Sequence, residues 1–444
     1  MRFRESLFFM IADIFDSDFY GKIRKEKRKT SSIPKNIQTQ RFIETYKYVI
    51  LNVDFYKKKY KEAGLTIDSI REYGDIVKIP CLTKDELAKN NITAKRKHPL
   101  VALASGGTSG RMVNTLLDKP YLIKRYMMLL SILYTSGWRL GDPTAALHPL
   151  EYGYFNNLFS MIKGNKINKI IFDFFQQYIL YGFFHNLKNI YYGKCLFEEN
   201  NANKYLLQLF NKSPKLLRAR PDVLNVLIKQ AKLSGYKFNE IEIILVVGNI
   251  LTEMARKNVE RVFNAKVYNL YASTELGYVG VSCSYSGVHV HIDEENYLLE
   301  IDIEQDNEII VTDFNNYVMP MIRYRTSDVG EFINEDCVCG KGERLLRIRG
   351  RRERYVLNEN GAKIYESDIM EFFEKISAIW AYQLRRETAG IIRILVRPKE
   401  IGKQFIEEVL DVFCKNFKIE RRRVFYDIDT LLIKTASGKL CIII

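Results

Sequence analysis

What this 444-residue sequence lacks narrows it first. Its seven cysteines are few for so long a chain and, Cys337 and Cys339 aside, lie far apart, which does not read as a disulfide-stapled scaffold and points to reduced thiols. No run reaches the roughly 18 consecutive apolar residues that a membrane-spanning helix needs. The opening MRFRESLFFMIADIF has a basic tip and a short apolar run. Asp13 stops that run and no small-residue cleavage site follows it, so a secretory leader is not expected and a cytoplasmic protein is. There is no internal repeat, and no helix-turn-helix, zinc-finger or RNA-binding signature frames the basic residues.

What is present is a chain able to build real cores, with 47% hydrophobic and 13% aromatic residues, including 28 Tyr and 26 Phe. The formal charge of +15 asks for an anionic partner. Its densest cluster, RIRGRRER (347–354), holds five arginines, but lysines spread through KIRKEKRK and YKKKYKEAG account for much of the excess. Nucleic acid is not the expected partner.

Residues 1 to about 95 read as helical. A polar connector, KTSSIPKN, lies near residue 30, and Thr83 stands three residues before Glu86 at the spacing of a capping box. IEIILVVGNIL (241–251) reads as a buried strand, 252–263 as a helix and AKVYNLYASTE as a second strand, a βαβ pattern. ENYLLEIDI (295–303) and NEIIVTDF (307–314) alternate with period two and predict a hairpin of a smaller antiparallel sheet. Beyond RIRGRRERYV the texture changes. A helix with Ser367 as N-cap, the strand IIRILVRP, the amphipathic helix KQFIEEVLDVFCKNF and the strand RRRVFYDI predict a small α+β domain. The expected fold is therefore α/β with mixed α+β parts, divided into 1–352 and 353–444.

The loops carry the chemistry. LASGGTSGR (103–111) has the Gly and Ser residues to turn several N–H groups toward an anion, though it lacks the Lys-Ser/Thr pair of a Walker loop. YASTELG (271–277) ends a predicted strand, RYRTSDVGEF (323–332) sets Arg, Thr and Asp in a turn, IRGR (348–351) precedes the change of texture, and IKTASGK (433–439) brings a lysine through a Ser-Gly turn. A second constellation is Cys283 and His289 with Cys337 and Cys339, with His291 as a competing ligand. Two thiols, an imidazole and a close thiol pair form a tetrahedral zinc set, or are four unrelated reduced residues.

The five loops, in this order, resemble the adenylate-forming superfamily of acyl-CoA synthetases, peptide-synthetase adenylation domains and luciferases. The nearest branch is similar to the phenylacetate–CoA ligases and includes capsule-biosynthesis proteins. The resemblance covers nearly the whole chain beyond residue 40, and some members of the branch carry a Cys/His cluster at these places. It implies that Ser105, Gly106, Gly107, Thr108, Ser109 and Gly110 wrap the β- and γ-phosphates of ATP. Tyr271 would stack on adenine. Thr274 would touch the α-phosphate, Glu275 would hold Mg²⁺, and Asp328 would accept from the ribose hydroxyls. Gly248, Asn249, Ala272 and Ser273 would line the nucleotide, and Arg351 would lie near ribose and phosphate. Lys439 would bridge the substrate carboxylate and the α-phosphate, and Glu353 would be the hinge. Ser327 stands where Gly is common, Ser109 where Thr is frequent, and VVGNIL replaces a frequent G-E-P-L.

The resemblance implies ATP-dependent, AMP-forming activation of a carboxylic acid, then acyl transfer to CoA. Transfer to a sugar or an amine in surface-polysaccharide assembly is the alternative acceptor chemistry. A non-enzymatic basic scaffold with peripheral membrane contact is the other class, motivated by the aromatic, lysine-studded stretch 154–187.

Overall fold

The computed structural model describes residues 3–15, 21, 23, 33–95, 97, 101–104, 113–149, 173–192, 196, 201–238, 240–376, 378–398, 402–428, 432–433 and 440–444. The chain forms two compact units. One unites Met1–Gly141 with Tyr268–Ile348, the other Asp142–Val267 with Arg349–Ile444.

The first unit opens with helices. Lys35–Asn52 and Asp54–Glu62 are two helices rather than one, because Val53 takes an extended conformation (φ −125°) between them. The high tyrosine content finds its use here. Tyr46 stacks on Tyr60 with ring centroids 5.4 Å apart, and buried Tyr46 and Tyr56 donate to the carbonyls of Thr66 (2.8 Å) and Pro320 (2.7 Å). A tyrosine can fill a core in this way because its hydroxyl reaches a backbone acceptor. The capping box at Thr83 forms as expected, with Glu86 N–H on Thr83 Oγ1 (3.2 Å) and Thr83 N–H on Glu86 Oε2 (2.8 Å). Among the described residues no helix is long and apolar enough to cross a membrane.

The strands of this unit run, neighbour to neighbour, Tyr297–Asp302, Glu308–Asp313, Tyr324–Ile333, Leu345–Arg351, Val290–Ile292, Gly277–Val281 and Lys266–Ser273. The hairpin expected from 295–314 is present, its register running from Tyr297 opposite Asp313 to Asp302 opposite Glu308. It forms one edge of this run.

In the second unit Leu187–Tyr192, Thr144–Pro149, Leu216–Ala219 and Ile243–Val247 are parallel neighbours. Their apolar runs are buried, as strands covered on both faces require. The helix Glu253–Phe263 follows, capped by the Thr252 hydroxyl accepting from Ala255 N–H at 3.1 Å. Beyond Glu353 come a hairpin (Tyr355–Leu357 with Lys363–Tyr365), the helices Glu366–Phe373 and Lys403–Phe417, and a sheet of Ile379–Arg386, Ile392–Pro398 and Val424–Ile428. Ser367 is not the N-cap. The helix starts one residue earlier, and Asp368 reaches back to Tyr365 N–H (3.0 Å), leaving Ser367 buried within the first turn.

Candidate functional site

The strand Lys266–Ser273 ends in a tight turn at Thr274–Glu275–Leu276 and returns as Gly277–Val281, with Ser273 opposite Gly277. Ser273 Oγ accepts from Leu276 N–H at 3.1 Å and closes the turn. Gly277 has φ +84°, a conformation that favours glycine, and a Cβ there would stand 2.8 Å from Arg125 Nε. The turn presents Thr274 and Glu275 side by side. Glu275 is only 7% exposed, and no described side chain pairs with its carboxylate.

Two of the sequence-predicted residues meet directly: the Tyr271 hydroxyl donates to Asp328 Oδ2 at 2.9 Å. They are 57 positions apart, and a bulge brings them together. Pairing steps from Ile310 opposite Arg325 to Glu308 opposite Val329, so the Tyr324–Ile333 strand carries extra residues at 326–328. Ser327 takes φ +62°, the left-handed conformation that glycine would adopt freely. Thr326 Oγ1 donates to Ile309 O (2.8 Å) and accepts from Asp328 N–H (3.1 Å), while Ser327 N–H binds Glu308 Oε1 (3.1 Å). These bonds fix the bulge and aim Asp328.

The remaining expected residues are distributed differently. Gly248 (φ +96°) and Asn249 follow the strand Ile243–Val247 in the second unit. Arg351 ends the strand Leu345–Arg351, whose residues from Arg349 onward belong to the second unit, and Glu353 lies exposed in the turn that follows. Ser105–Gly110 and Lys439 lie outside the described residues, as does most of the 154–187 stretch.

Beneath the Thr274 turn is a polar network that no motif announces. On the helix Lys119–Ser136, Arg125 donates to the carbonyls of Thr274 (3.2 Å) and Ser273 (3.3 Å). Tyr121, one turn earlier, lies 3.1 Å from Leu276 O and hydrogen-bonds to Asp313 Oδ2. Tyr297 donates to Leu276 O at 2.6 Å. Burial raises the Asp313 carboxyl, and Tyr121, the Asn315 N–H (2.8 Å) and the Arg125 charge oppose that rise. The i, i+4 spacing of Tyr121 and Arg125 was the only trace in sequence.

At the other end of Gly277–Val281 lies the sulfur cluster. Cys283, His291, Cys337 and Cys339 bring one ligand atom each to within 4.8 Å of one another. This corrects the sequence assignment of His289: the competing His291, on the strand Val290–Ile292, joins the thiols. His289 stays in the turn before that strand, its N–H on Ser286 O (3.0 Å) and its carbonyl accepting from Ser286 Oγ (2.8 Å). Cys283 and Cys337 Sγ are 3.6 Å apart, and Cys339 Sγ is 3.5 Å from His291 Nε2. Burial raises both Cys283 and Cys337, but hydrogen bonds from His291, the Tyr285 N–H and Ser286 bring Cys283 below the ordinary thiol range, while Cys337 stays above it. His291 is 2% exposed and its Nδ1 has no hydrogen-bond partner, with Glu343 Oε2 3.7 Å away.

No protein-family profile matches the chain. It is 25% identical over 332 residues to protein CapK of Staphylococcus aureus, covering 72% of this chain and 68% of that protein. It is 23% identical over 440 residues to the phenylacetate-coenzyme A ligase of Escherichia coli (strain K12), covering 91% and 93%. Among solved structures, 2-hydroxyisobutyryl-CoA ligase in the postadenylation state with 2-HIB-AMP superposes with a TM-score of 0.70 at 15% identity, covering 92% of this chain and 89% of that one. The o-succinylbenzoate coenzyme A synthetase of Bacillus subtilis, in complex with ATP and magnesium ion, gives 0.50 at 14% identity over 84% and 77%.

Proposed function

We propose, from the premise that this chain belongs to the adenylate-forming superfamily as a homologue of the phenylacetate–CoA ligases and CapK, that it activates a carboxylic acid with ATP and passes the acyl group to CoA. The homology carries the enzyme reading over that of a basic scaffold. The observation that supports the site most is the Tyr271–Asp328 hydrogen bond beside the Thr274–Glu275 turn. It joins two of the predicted loops through a specific side-chain contact.

The chemistry asks for these residue types. A carboxylate and a triphosphate repel each other, and attack at the α-phosphorus needs that charge neutralised in a preorganised site. Asp328, aimed by its bulge and by Tyr271, accepts from the ribose hydroxyls. Thr274 donates to the α-phosphate. Ser105–Gly110 turns its N–H groups on the outer phosphates, and Lys439 bridges the two anions. Gly248, Asn249 and Arg351 complete the nucleotide contacts, and Glu353 in its exposed turn is the hinge.

A Mg²⁺ ion fits Glu275. Its carboxylate is 7% exposed, lies in the turn beside Thr274 and has no described side-chain partner. An oxygen-seeking cation suits such a ligand, and the bound ion supplies charge neutralisation at the phosphates.

Zinc fits the sulfur cluster. A tetrahedral ion with Zn–S near 2.3 Å sets sulfurs about 3.8 Å apart and sulfur–nitrogen about 3.5 Å; the chain has 3.6 and 3.5 Å. With Nε2 on the metal, His291 Nδ1–H points to Glu343, the usual outer carboxylate of such a ligand. Four protein ligands leave no open position, so the ion's work is structural. Reduced thiols and a cytoplasmic location agree with this.

The test is acid-dependent exchange of labelled pyrophosphate into ATP over a panel of carboxylic acids, followed by CoA, sugars and amines as acceptors. Exchange with one acid and thioester formation with CoA is the expected result. No exchange with any acid rejects the reading. Exchange with transfer only to a sugar or amine replaces CoA as acceptor.

A further inference from the structure

The Thr274–Glu275 turn is gripped from below by a helix that no site motif includes. Arg125 sends two N–H groups to two successive carbonyls of the turn, 3.2 Å to Thr274 O and 3.3 Å to Ser273 O. The turn's own sequence makes room for it, since a side chain at Gly277 would collide with Arg125 Nε. Contact and vacancy describe one fit of the guanidinium against the turn. The guanidinium is planar, permanently charged and geometrically matched to paired oxygen acceptors. A lysine would reach one carbonyl as a point charge.

The same helix turn supplies Tyr121, which ties Leu276 O to the buried Asp313, and Tyr297 holds Leu276 O from another strand. The carbonyls of residues 273, 274 and 276 are thus all accounted for by side chains of this network. With its backbone fixed on one side, the turn has little freedom to move Thr274 or Glu275.

We infer that Arg125 is a positioning residue for adenylate formation, acting through the backbone of the turn that carries Thr274 and Glu275. It rests on the roles given to those two residues above. Arg125 touches the carbonyls of the turn, and its effect on the reaction passes through the placement of the side chains above them. Misplacing a reacting group by about 1 Å is enough to cost on the order of 10²-fold in rate.

The test compares wild type with Arg125→Met and Arg125→Lys. The first readout is amide hydrogen exchange in the ligand-free protein. Arg125→Met should speed exchange across 271–281 about tenfold, the scale expected from losing one to two charge-assisted hydrogen bonds, with protection elsewhere unchanged. Arg125→Lys should fall between. The second readout is pyrophosphate exchange. Arg125→Met should lower kcat by about 10- to 100-fold and raise the Mg²⁺ concentration for half-maximal rate, with KM for the acid unchanged; Lys should recover part of kcat. Unchanged protection at 271–281 in Arg125→Met overturns the inference. So does loss of protection throughout the first unit, with the rate falling in proportion to folded protein. If wild type exchanges with no acid, the adenylation reading fails instead, and the hydrogen-exchange arm still decides whether Arg125 holds the turn.

Discussion

The strand Gly277–Val281 has a different polar site at each of its ends. At the Thr274 end the buried groups answer one another: Asp313 has Tyr121 and the Asn315 N–H, Leu276 O has Tyr297, and the turn carbonyls have Arg125. At the Cys283 end four ligand atoms converge on each other, and a buried imidazole nitrogen has no hydrogen-bond partner among the described residues. Native interiors leave few buried polar groups unsatisfied. Apart from Glu275, the buried groups at the first end are matched within the protein, whereas the second end has the donor set of an ion site.

The largest effect should come from breaking the self-sufficient end. Asp313 is 1% exposed. Asp313→Ala leaves the Asn315 N–H without its carboxylate acceptor, takes away one of the two acceptors of the Tyr121 hydroxyl and removes the counter-charge that Arg125 feels. Removing one member of such a buried set costs about 3–5 kcal/mol. Chemical denaturation of the purified variant should show a loss of that size, and Asp313→Asn a smaller one, because an amide still accepts one hydrogen bond. Both variants should keep their metal content, since the sulfur cluster lies beyond the strand's other end. A loss below about 1 kcal/mol for Asp313→Ala would mean that water replaces the carboxylate and the network is not closed.

The sulfur end should respond second. Purified protein should hold about one zinc per chain. Cys337→Ser should lower that content and cost about 2–3 kcal/mol, the scale of losing a structural ligand. A chelator should reproduce the loss in wild type and have little further effect on the variant. His289→Ala should leave zinc in place where His291→Ala releases it. Metal-free wild type of unchanged thermal midpoint would end the metal reading and with it the contrast between the two ends.

These two ends also show what sequence could reveal. The segments around each site were legible because periodicity and caps are local: Thr83 with Glu86, the Ile243–Val247 strand, Thr252 before its helix, and the 297–313 hairpin all form where the pattern puts them. Tyr271 and Asp328 were legible as residue types in loops of the right order, and Ser327, where Gly is common, marked a turn that must tolerate a side chain, which it does at φ +62°. The choice of His291 over His289 was not legible. The two positions share a side of an alternating pattern, and only the start of the strand at Val290 separates them. Arg125 and Tyr121 were invisible for another reason. Their partners are backbone carbonyls some 150 positions away, and a carbonyl leaves no mark in a sequence. Ser367 was misread as a cap because the hydroxyl signal outweighed Asp368, whose carboxylate caps the helix from within.

The smallest expected effect tests how far donors offset the burial of a carboxylate. Glu374 in the second unit, like Asp313, has donors and is raised by burial all the same. It accepts from Asn225 Nδ2 at 3.2 Å and from the Thr252 hydroxyl, and it feels the charge of Lys229, whose Nζ donates to Ile379 O at 2.5 Å, and that of Glu371. Burial nonetheless raises its carboxyl to about 7, and lowers Lys229 to about 8. A raised acid binds its proton more tightly folded than unfolded. The stability this gives is present in full below the ordinary value of 4.5 and is lost as pH rises through about 7. Glu374→Gln keeps an acceptor for Thr252 and has no charge to bury. The variant should therefore match wild type near pH 5 and exceed it above pH 8, by about 1–2 kcal/mol given the size of such shifts. The check is the thermal midpoint of both proteins at the two pH values. A variant less stable at both would show that the Glu374–Lys229 attraction outweighs the burial of the carboxylate.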